Sequence, residues 1–349
     1  MKQPARRNSP RKSKTGARAR KAGATRAGGA RKGGVRARKA PAAPRSAASQ
    51  RRKIHPRNKL NALTGEEWLY RSKSVLQTSY PSAYGHALRK RHGANKPPQL
   101  MQALIEFFTK PGQCVLDPFA GVGGTLLGAS LCDRRAIGIE INPEWAGIYH
   151  TVCAQSDLAP QTLILGDTLK VLGSIEAGSI DFVATDPPYN RQFERTMCNG
   201  AYENQNRKTD FGTFSDNPDD FSNSATYGDF LDRMERMFGM LLPLLREGAY
   251  VAVILRNAYQ DGEYMMTQAD VAERARRPRL RAGRSTARLF LKGEIIWHQS
   301  GTRLRPYGYP YAFVPNIAHQ TIVVLRKERD KQTRSRKRLP ASRKKERAR

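Results

Sequence analysis

Cys114-Val115-Leu116-Asp117-Pro118-Phe119-Ala120-Gly121-Val122-Gly123-Gly124-Thr125 reads as a short apolar strand ending on a carboxylate, then a glycine-rich turn, then the start of a helix running to about Cys132. Glycines at such a turn let the backbone approach a ligand at a helix N-terminus, where free N–H groups favour an anionic moiety. No Lys follows the glycines, so the stretch is not a P-loop. By itself it fits a dinucleotide, S-adenosylmethionine or a plain tight turn. Glu140 lies 19 residues beyond Gly121, a spacing at which an acid can accept both hydroxyls of a ribose.

Outward from this stretch the pattern repeats. Lys96-Pro97-Pro98 leads into a helix with Leu100, Leu104 and Phe108 on one face, stopped by Pro111-Gly112. Apolar strands follow at 136–140, 162–165, 180–185 and 250–255, with further strands at 294–297 and 321–325. A helix with Phe230, Leu231, Met234, Met237, Phe238, Leu241, Leu242 and Leu245 on one face precedes the fifth strand. Short apolar strands alternating with helices predict an α/β, Rossmann-like, seven-stranded sheet, mostly parallel and covered on both faces. The last two strands have no helix between them and form an antiparallel pair. In such a sheet ligands bind at the carboxyl ends of the strands. Asp117, Glu140, Asp167 and Asp186 all fall there, and a strand end needs no carboxylate to terminate it.

Asp186-Pro187-Pro188-Tyr189 narrows the chemistry. The exocyclic nitrogen of adenine or cytosine is a poor nucleophile because its lone pair is delocalised into the ring. A carboxylate and a backbone carbonyl that each accept one N–H pull that nitrogen toward tetrahedral geometry and localise the pair. Consecutive prolines rigidify the segment and leave carbonyls free to accept, and the adjacent aromatic can stack on a base extruded from a duplex. A proline-rich loop that merely follows a strand is the bland alternative.

Residues 92–189 resemble the amino-methyltransferases of DNA, which act on adenine N6 or cytosine N4, and the resemblance extends to about residue 327 through Tyr309-Pro310-Tyr311-Ala312-Phe313-Val314-Pro315-Asn316. It implies that Asp117, Phe119, Gly121 and Gly123 hold the methionine end of S-adenosylmethionine, Glu140 its ribose and Asp167 its adenine. It implies a catalytic loop of Asp186, Pro187, Pro188 and Tyr189, with Asp186 and the Pro187 carbonyl holding the target amine. The 96–145 stretch is most similar to a subgroup that places its cofactor loop after the catalytic loop. Here the order is reversed, which implies a circular permutation relative to that subgroup. The partner implied is double-stranded DNA with the target base flipped out, with a homodimer as a possible assembly, the partner endonuclease unknown, and a cytoplasmic, nucleoid-associated location. Two other readings stay open: an RNA base amino-methyltransferase, and a DNA-packing basic protein with an inactive methylase core. A carbon-5 cytosine enzyme is disfavoured, since that reaction needs a cysteine nucleophile and no Pro-Cys pair occurs.

The net charge of +32 is not spread along the 349 residues. Residues 1–60 hold 21 Lys+Arg and no acid, and residues 326–349 hold 13 against three acids, leaving 28 basic and 27 acidic residues between them. Domains are therefore expected as a disordered basic tail over 1–60, a methyltransferase domain over 61–327 and a basic tail over 328–349, with order starting near Trp68. The N-terminal segment is too poor in large apolar residues to offset its ordering entropy. Its cations suit a polyanion, although a solubilising tail or a transit peptide shares that composition. No apolar run has the length of a membrane span.

Cys114, Cys132, Cys153 and Cys198 form no CxxC, so neither a disulfide framework nor a metal site is indicated. Residues 190–226 form a long polar connection that suits a lid or a disordered insertion. Candidate nucleic-acid contacts are Arg277 and Arg281 in an arginine cluster at 274–288, and Arg303, Arg305 and Tyr309 in an aromatic-rich segment. A solvated surface and ordinary loop packing account for them equally well.

Removal of 1–60 and 328–349 is expected to weaken DNA binding and to flatten the dependence of log K on log salt by about 0.9 for each phosphate that the tails neutralise. Titration at several salt concentrations measures this, and an unchanged slope rules the tails out as DNA-binding segments.

Overall fold

The computed structural model describes residues 53–188, 215–260, 262–283 and 285–330. Tyr189, Cys198 and most of both basic tails lie outside these. In chain order the elements are α1 (Gly65–Arg71), β1 (Val75–Leu76), α2 (His86–Arg89), α3 (Pro98–Phe108), β2 (Cys114–Asp117), α4 (Gly124–Ser130), β3 (Arg135–Glu140), α5 (Pro143–Gln155), β4 (Thr162–Leu165), α6 (Thr168–Val171), β5 (Ile180–Thr185), α7 (Tyr227–Leu244), β6 (Leu245–Leu255), β7 (Ala258–Gln260), β8 (Glu263–Met265), α8 (Thr267–Ala275), β9 (Leu280–Ala282), β10 (Ser285–His298) and β11 (His319–Arg329).

The main sheet has nine strands rather than seven, in the order β1-β10-β11-β6-β5-β2-β3-β4, with β9 attached to β10. Neighbouring strands from β6 through β4 are parallel, and β11 runs antiparallel between β6 and β10. The expected antiparallel pair is present. The two extra strands are short: β1 adds parallel to one end of β10, and β9 folds back on the other. Loops after β2, β3, β4, β5, β6 and β10 therefore all emerge at one edge of the sheet, the carboxyl edge.

Alternation along the buried strands divides the core in two. Leu116, Val183, Val251, Val253, Leu255, Val323 and Leu325 face α7 and α8, packing on Phe230, Met234, Met237, Phe238 and Leu241. Val115, Phe182, Ala184, Ala252, Ile254, Ile322 and Val324 face the other way, onto Leu100, Leu104, Leu126, Tyr149 and Val152 of α3, α4 and α5. A stretch buried on both faces is mostly apolar, which is why 182–184 of β5 and 251–255 of β6 read as continuous apolar runs. Each fully buried side chain of this size contributes about 1.5–3 kcal/mol. Cys114, Cys132 and Cys153 are buried and free, acting as small apolar side chains. No helix among the described residues is long and apolar enough to cross a membrane.

Several boundaries differ from expectation. Order begins before Trp68: Asn58 donates to Asn61 Oδ1 and to the Leu63 carbonyl, and Asn61 donates to the Phe107 carbonyl at 2.6 Å. Thr64 and Glu67 then form a capping box on α1. Leu60 packs on the core although it belongs to the segment assigned to the tail. Leu245 lies not on the helix but at the start of β6, because α7 ends at Leu244 just past Pro243, and the chain passes directly into extended backbone. β10 begins at Ser285, well before the expected start at 294, and β11 runs on to Arg329, beyond the expected boundary at 327. Their charged outer halves pair with each other, Ala287 with Arg329 and Arg288 with Glu328.

The glycine-rich turn needs two of its glycines for backbone reasons. Gly121 and Gly123 have φ of +51° and +78°, and a Cβ at Gly123 would lie 2.0 Å from the Tyr149 ring. Gly123→Ala therefore combines left-handed strain with a clash against a buried ring, and is expected to cost about 1–3 kcal/mol. Thermal unfolding measures this, and an unchanged Tm would show that the turn relaxes freely.

Candidate functional site

Two carboxylates bind the carboxyl edge together. Asp117 is buried at the end of β2. It accepts from the Thr125 hydroxyl of α4 at 2.5 Å, the Thr185 hydroxyl of β5 at 2.7 Å and the Phe119 amide at 3.0 Å. Burial raises its pKa to about 6 against the opposing pull of those donors. Glu140, at the end of β3, accepts from the amides of Gly121 at 2.7 Å and Asn142 at 2.8 Å. Burial raises it to about 7. The glycine-rich turn is thus held from below by Asp117 and from the side by Glu140.

Asp167 caps α6, accepting from the Leu169 amide at 3.0 Å. Asp186, just past β5, forms an ion pair with Lys96, which precedes α3. Both side chains are largely buried, at 15% and 8% exposure. The same ammonium reaches the Ala94 carbonyl at 3.4 Å.

These groups surround a cavity of about 580 Å³, its open mouth included, lined among others by Phe119, Gly121, Glu140, Trp145, Asp167 and Asp186 to Pro188. A smaller lobe adjoins it, lined by Lys96, Asp117, Gly121, Val122, Gly124 and Thr125. His92, Ala94, Phe119, Gly121 and Asp186 belong to both lobes, so the lobes meet at Asp186. The expected residues Asp117, Phe119, Gly121, Glu140, Asp167, Asp186, Pro187 and Pro188 are therefore brought together. Gly123 caps α4 and packs on Tyr149 rather than lining either lobe.

Sequence reasoning missed several wall residues. Asp219, Asp220 and Phe221 come from the segment expected to be irregular. Phe221 meets Phe119 edge-on with ring centres 4.9 Å apart, and Asp220 accepts from the Ser222 amide and the Ser215 hydroxyl. Arg233 of α7 clamps this turn by donating to the Asp219 carbonyl at 3.0 Å. An aromatic and a repeated acid within a polar stretch were the only signal. The pairing of Lys96 with Asp186, 90 residues apart, had none.

The arginine cluster is not brought to this edge. α8 and β9 carry Arg277 and Arg281 to the start of β10, at the opposite, amino edge of the sheet. Arg277 is also neutralised by Glu273 at 2.5 Å and Glu235 at 3.3 Å, and Arg288 by Asp330 at 2.8 Å. Arg303, Arg305 and Tyr309 lie in the β10–β11 loop, on the carboxyl edge.

The topology and the acid-lined cavity define the class, an α/β methyltransferase fold. The family model described as DNA methylase, N6_N4_Mtase, matches residues 25–150 and 180–349, and the chain belongs to that family. Among curated proteins, it is 52% identical over 59 residues to Type II methyltransferase M.HindIII of Haemophilus influenzae, covering 17% of this chain and 18% of that protein. It is 44% identical over 57 residues to Type II methyltransferase M.Cfr9I of Citrobacter freundii, covering 16% and 19%. A stretch of 93 residues is 28% identical to tRNA (guanine(10)-N2)-dimethyltransferase of Pyrococcus abyssi, covering 27% and 28%. Each of these matches spans less than a third of the relative's length.

The raised carboxyls make a pH prediction. Asp117 and Glu140 start from ordinary values of 3.8 and 4.5 and reach about 6 and about 7 when folded. The folded chain therefore holds protons that the unfolded chain has released, and stability falls as pH rises from about 4 to about 7. Glu140→Gln is expected to flatten this slope in Tm measured between about pH 4 and 8. An unaltered slope would show that Glu140 titrates normally.

Proposed function

We propose that the chain transfers a methyl group from S-adenosylmethionine to the exocyclic amine of adenine or cytosine in DNA. The observation that carries this is the placement of Asp186, Pro187 and Pro188 on the wall of the same cavity as the glycine turn and Glu140. Membership of a DNA methylase family supports DNA as the polymer.

The lining fits the cofactor. Glu140 offers a carboxylate to ribose hydroxyls, Asp167 an acceptor to an adenine amine, and Phe119, Trp145 and Phe221 apolar faces to a ring. The smaller lobe, lined by Lys96, Asp117, Gly121 and Thr125, would hold the methionine end. When bound, S-adenosylmethionine supplies an electrophilic methyl on a positively charged sulfur. Because Asp186 lines both lobes, a base amine held there would lie beside both of them.

The chain's part is positioning and proton handling. Asp186 accepts one N–H of the amine and the Pro187 carbonyl the other, which turns the nitrogen lone pair toward the methyl carbon. On transfer the amine would give up one proton, and the Asp186 carboxylate is the acceptor in place. Lys96, ion-paired with that carboxylate, holds it in place until the amine arrives. No cysteine or other covalent nucleophile is needed. Tyr189 stacks on the extruded base, and the basic tails contact phosphates.

Incubation with methyl-labelled S-adenosylmethionine and separate DNA and RNA pools tests the reading, with label expected in DNA at an adenine or cytosine amine. Label in RNA alone overturns it in favour of an RNA methylase, and label in neither favours an inactive, packing role. Asp186→Asn is expected to lower turnover by about 10²–10³-fold with cofactor binding kept, whereas equal loss of cofactor binding would refute the catalytic role.

A further inference from the structure

The loop between β10 and β11 presents bare aromatic rings. Tyr309, Tyr311 and Phe313 are 79%, 94% and 86% exposed, and Leu304 beside them is 68% exposed. Such rings normally bury about 150–250 Å² each, so three of them exposed within five residues of one loop are unusual for a surface without a partner. The loop is nevertheless built, not loose. Gln299 donates to the Ala318 carbonyl at 2.8 Å, and Arg305 and Asn316 exchange two hydrogen bonds of 2.8 Å across the stem. Ile317 is buried, and its carbonyl accepts from Arg256 at the end of β6. The tip turns on Gly308, with φ +72°, whose carbonyl accepts from the amides of Tyr311 and Ala312 at 2.7 and 2.8 Å. A Cβ at Gly308 would lie 2.2 Å from the Ala312 oxygen.

The place and charge of the loop select its partner. It rises from the carboxyl edge, where β11 stands two strands from β5, or about 10 Å from the strand that leads into Asp186. Residues 299–318 contain Arg303 and Arg305 and no acid. Aromatic faces beside unopposed cations suit stacked bases flanked by phosphates.

We propose that this loop is the DNA-distorting element of the enzyme, its exposed rings packing into the base stack beside the target nucleotide while Arg303 and Arg305 hold the adjoining phosphates. This rests on the reading of the chain as a DNA methylase and adds to it how the target base is made available. Extruding a base leaves a gap in the stack, and a ring that fills the gap holds the base out. A rigid stem lets the loop do this without an ordering cost on binding.

The experiment uses the full chain and two mixed-sequence duplexes, one intact and one with a central abasic site that removes the cost of unstacking. Wild type is expected to bind the abasic duplex at least about tenfold more tightly than the intact one. The triple variant Tyr309→Ala, Tyr311→Ala, Phe313→Ala is expected to lose that preference and to bind the abasic duplex about tenfold or more weakly, at unchanged salt slope and unchanged S-adenosylmethionine binding. Arg303→Ala with Arg305→Ala is expected to reduce the slope by about 2. Retained abasic preference in the triple variant overturns the proposal, as does a loss confined to a structured RNA. A change in the oligomeric state of the triple variant by light scattering also overturns it, since the rings would then pack on a second copy. If wild type labels no DNA, the functional reading itself fails. If wild type and triple variant label DNA equally, only this proposal fails.

Discussion

A buried carboxylate that three separate elements must satisfy sets the geometry of the whole carboxyl edge. Asp117 ends β2, and its oxygens accept from the hydroxyl of α4, the hydroxyl that ends β5 and the amide of the turn between them. An unpartnered carboxylate at that depth would cost several kcal/mol, so the donors cannot drift without leaving it bare. Glu140 repeats the device one strand over, holding the glycine turn and the start of α5 by two backbone amides. The ends of β2, β3 and β5 thereby become one rigid rim.

That rim is what a methyl transfer requires. In-line displacement rewards fixed positions of donor and acceptor more than strong chemistry at either. The cavity's two lobes share Asp186, which follows β5 beside the rim and is met from outside by Lys96. The pairing joins the entry to α3 to the catalytic loop, so the segment over the smaller lobe and the group expected to hold the amine are set together. Opposite, the α7 arginine Arg233 fixes the turn that brings Phe221 against Phe119. The elements beyond β6 add a second functional tier at the same edge, a stiff aromatic loop two strands away.

The parallel half of the sheet was legible because burial on both faces favours apolar residues, and the central stretches of β2, β3, β5 and β6 supply them. β10 was only partly legible. Its outer half carries Arg288 and Lys292, which look like loop but meet the charged end of β11, Arg288 opposite Glu328 and Lys292 in an ion pair with Glu328. The cap at Thr64 and Glu67 is written in the sequence as a Thr-x-x-Glu box, and it puts the onset of order ahead of Trp68. The arginines at 274–288 illustrate the opposite error. Density along the chain suggested a phosphate track, yet local acids and the descent of α8 place them at the far edge.

By itself the sequence determined the chemistry: acids at four strand ends, glycines where φ is positive, and a rigid Asp-Pro-Pro following a buried strand. These are local requirements, since a strand end, a left-handed turn and a proline act within a few residues. Only the tertiary structure decided which side chains meet. Lys96 faces Asp186 because α3 packs across the sheet, Asp219 to Phe221 return to the cavity because α7 anchors them, and the exposed aromatics share the catalytic edge because β11 is inserted antiparallel between β6 and β10. Such meetings depend on strand order and direction, which no local pattern encodes.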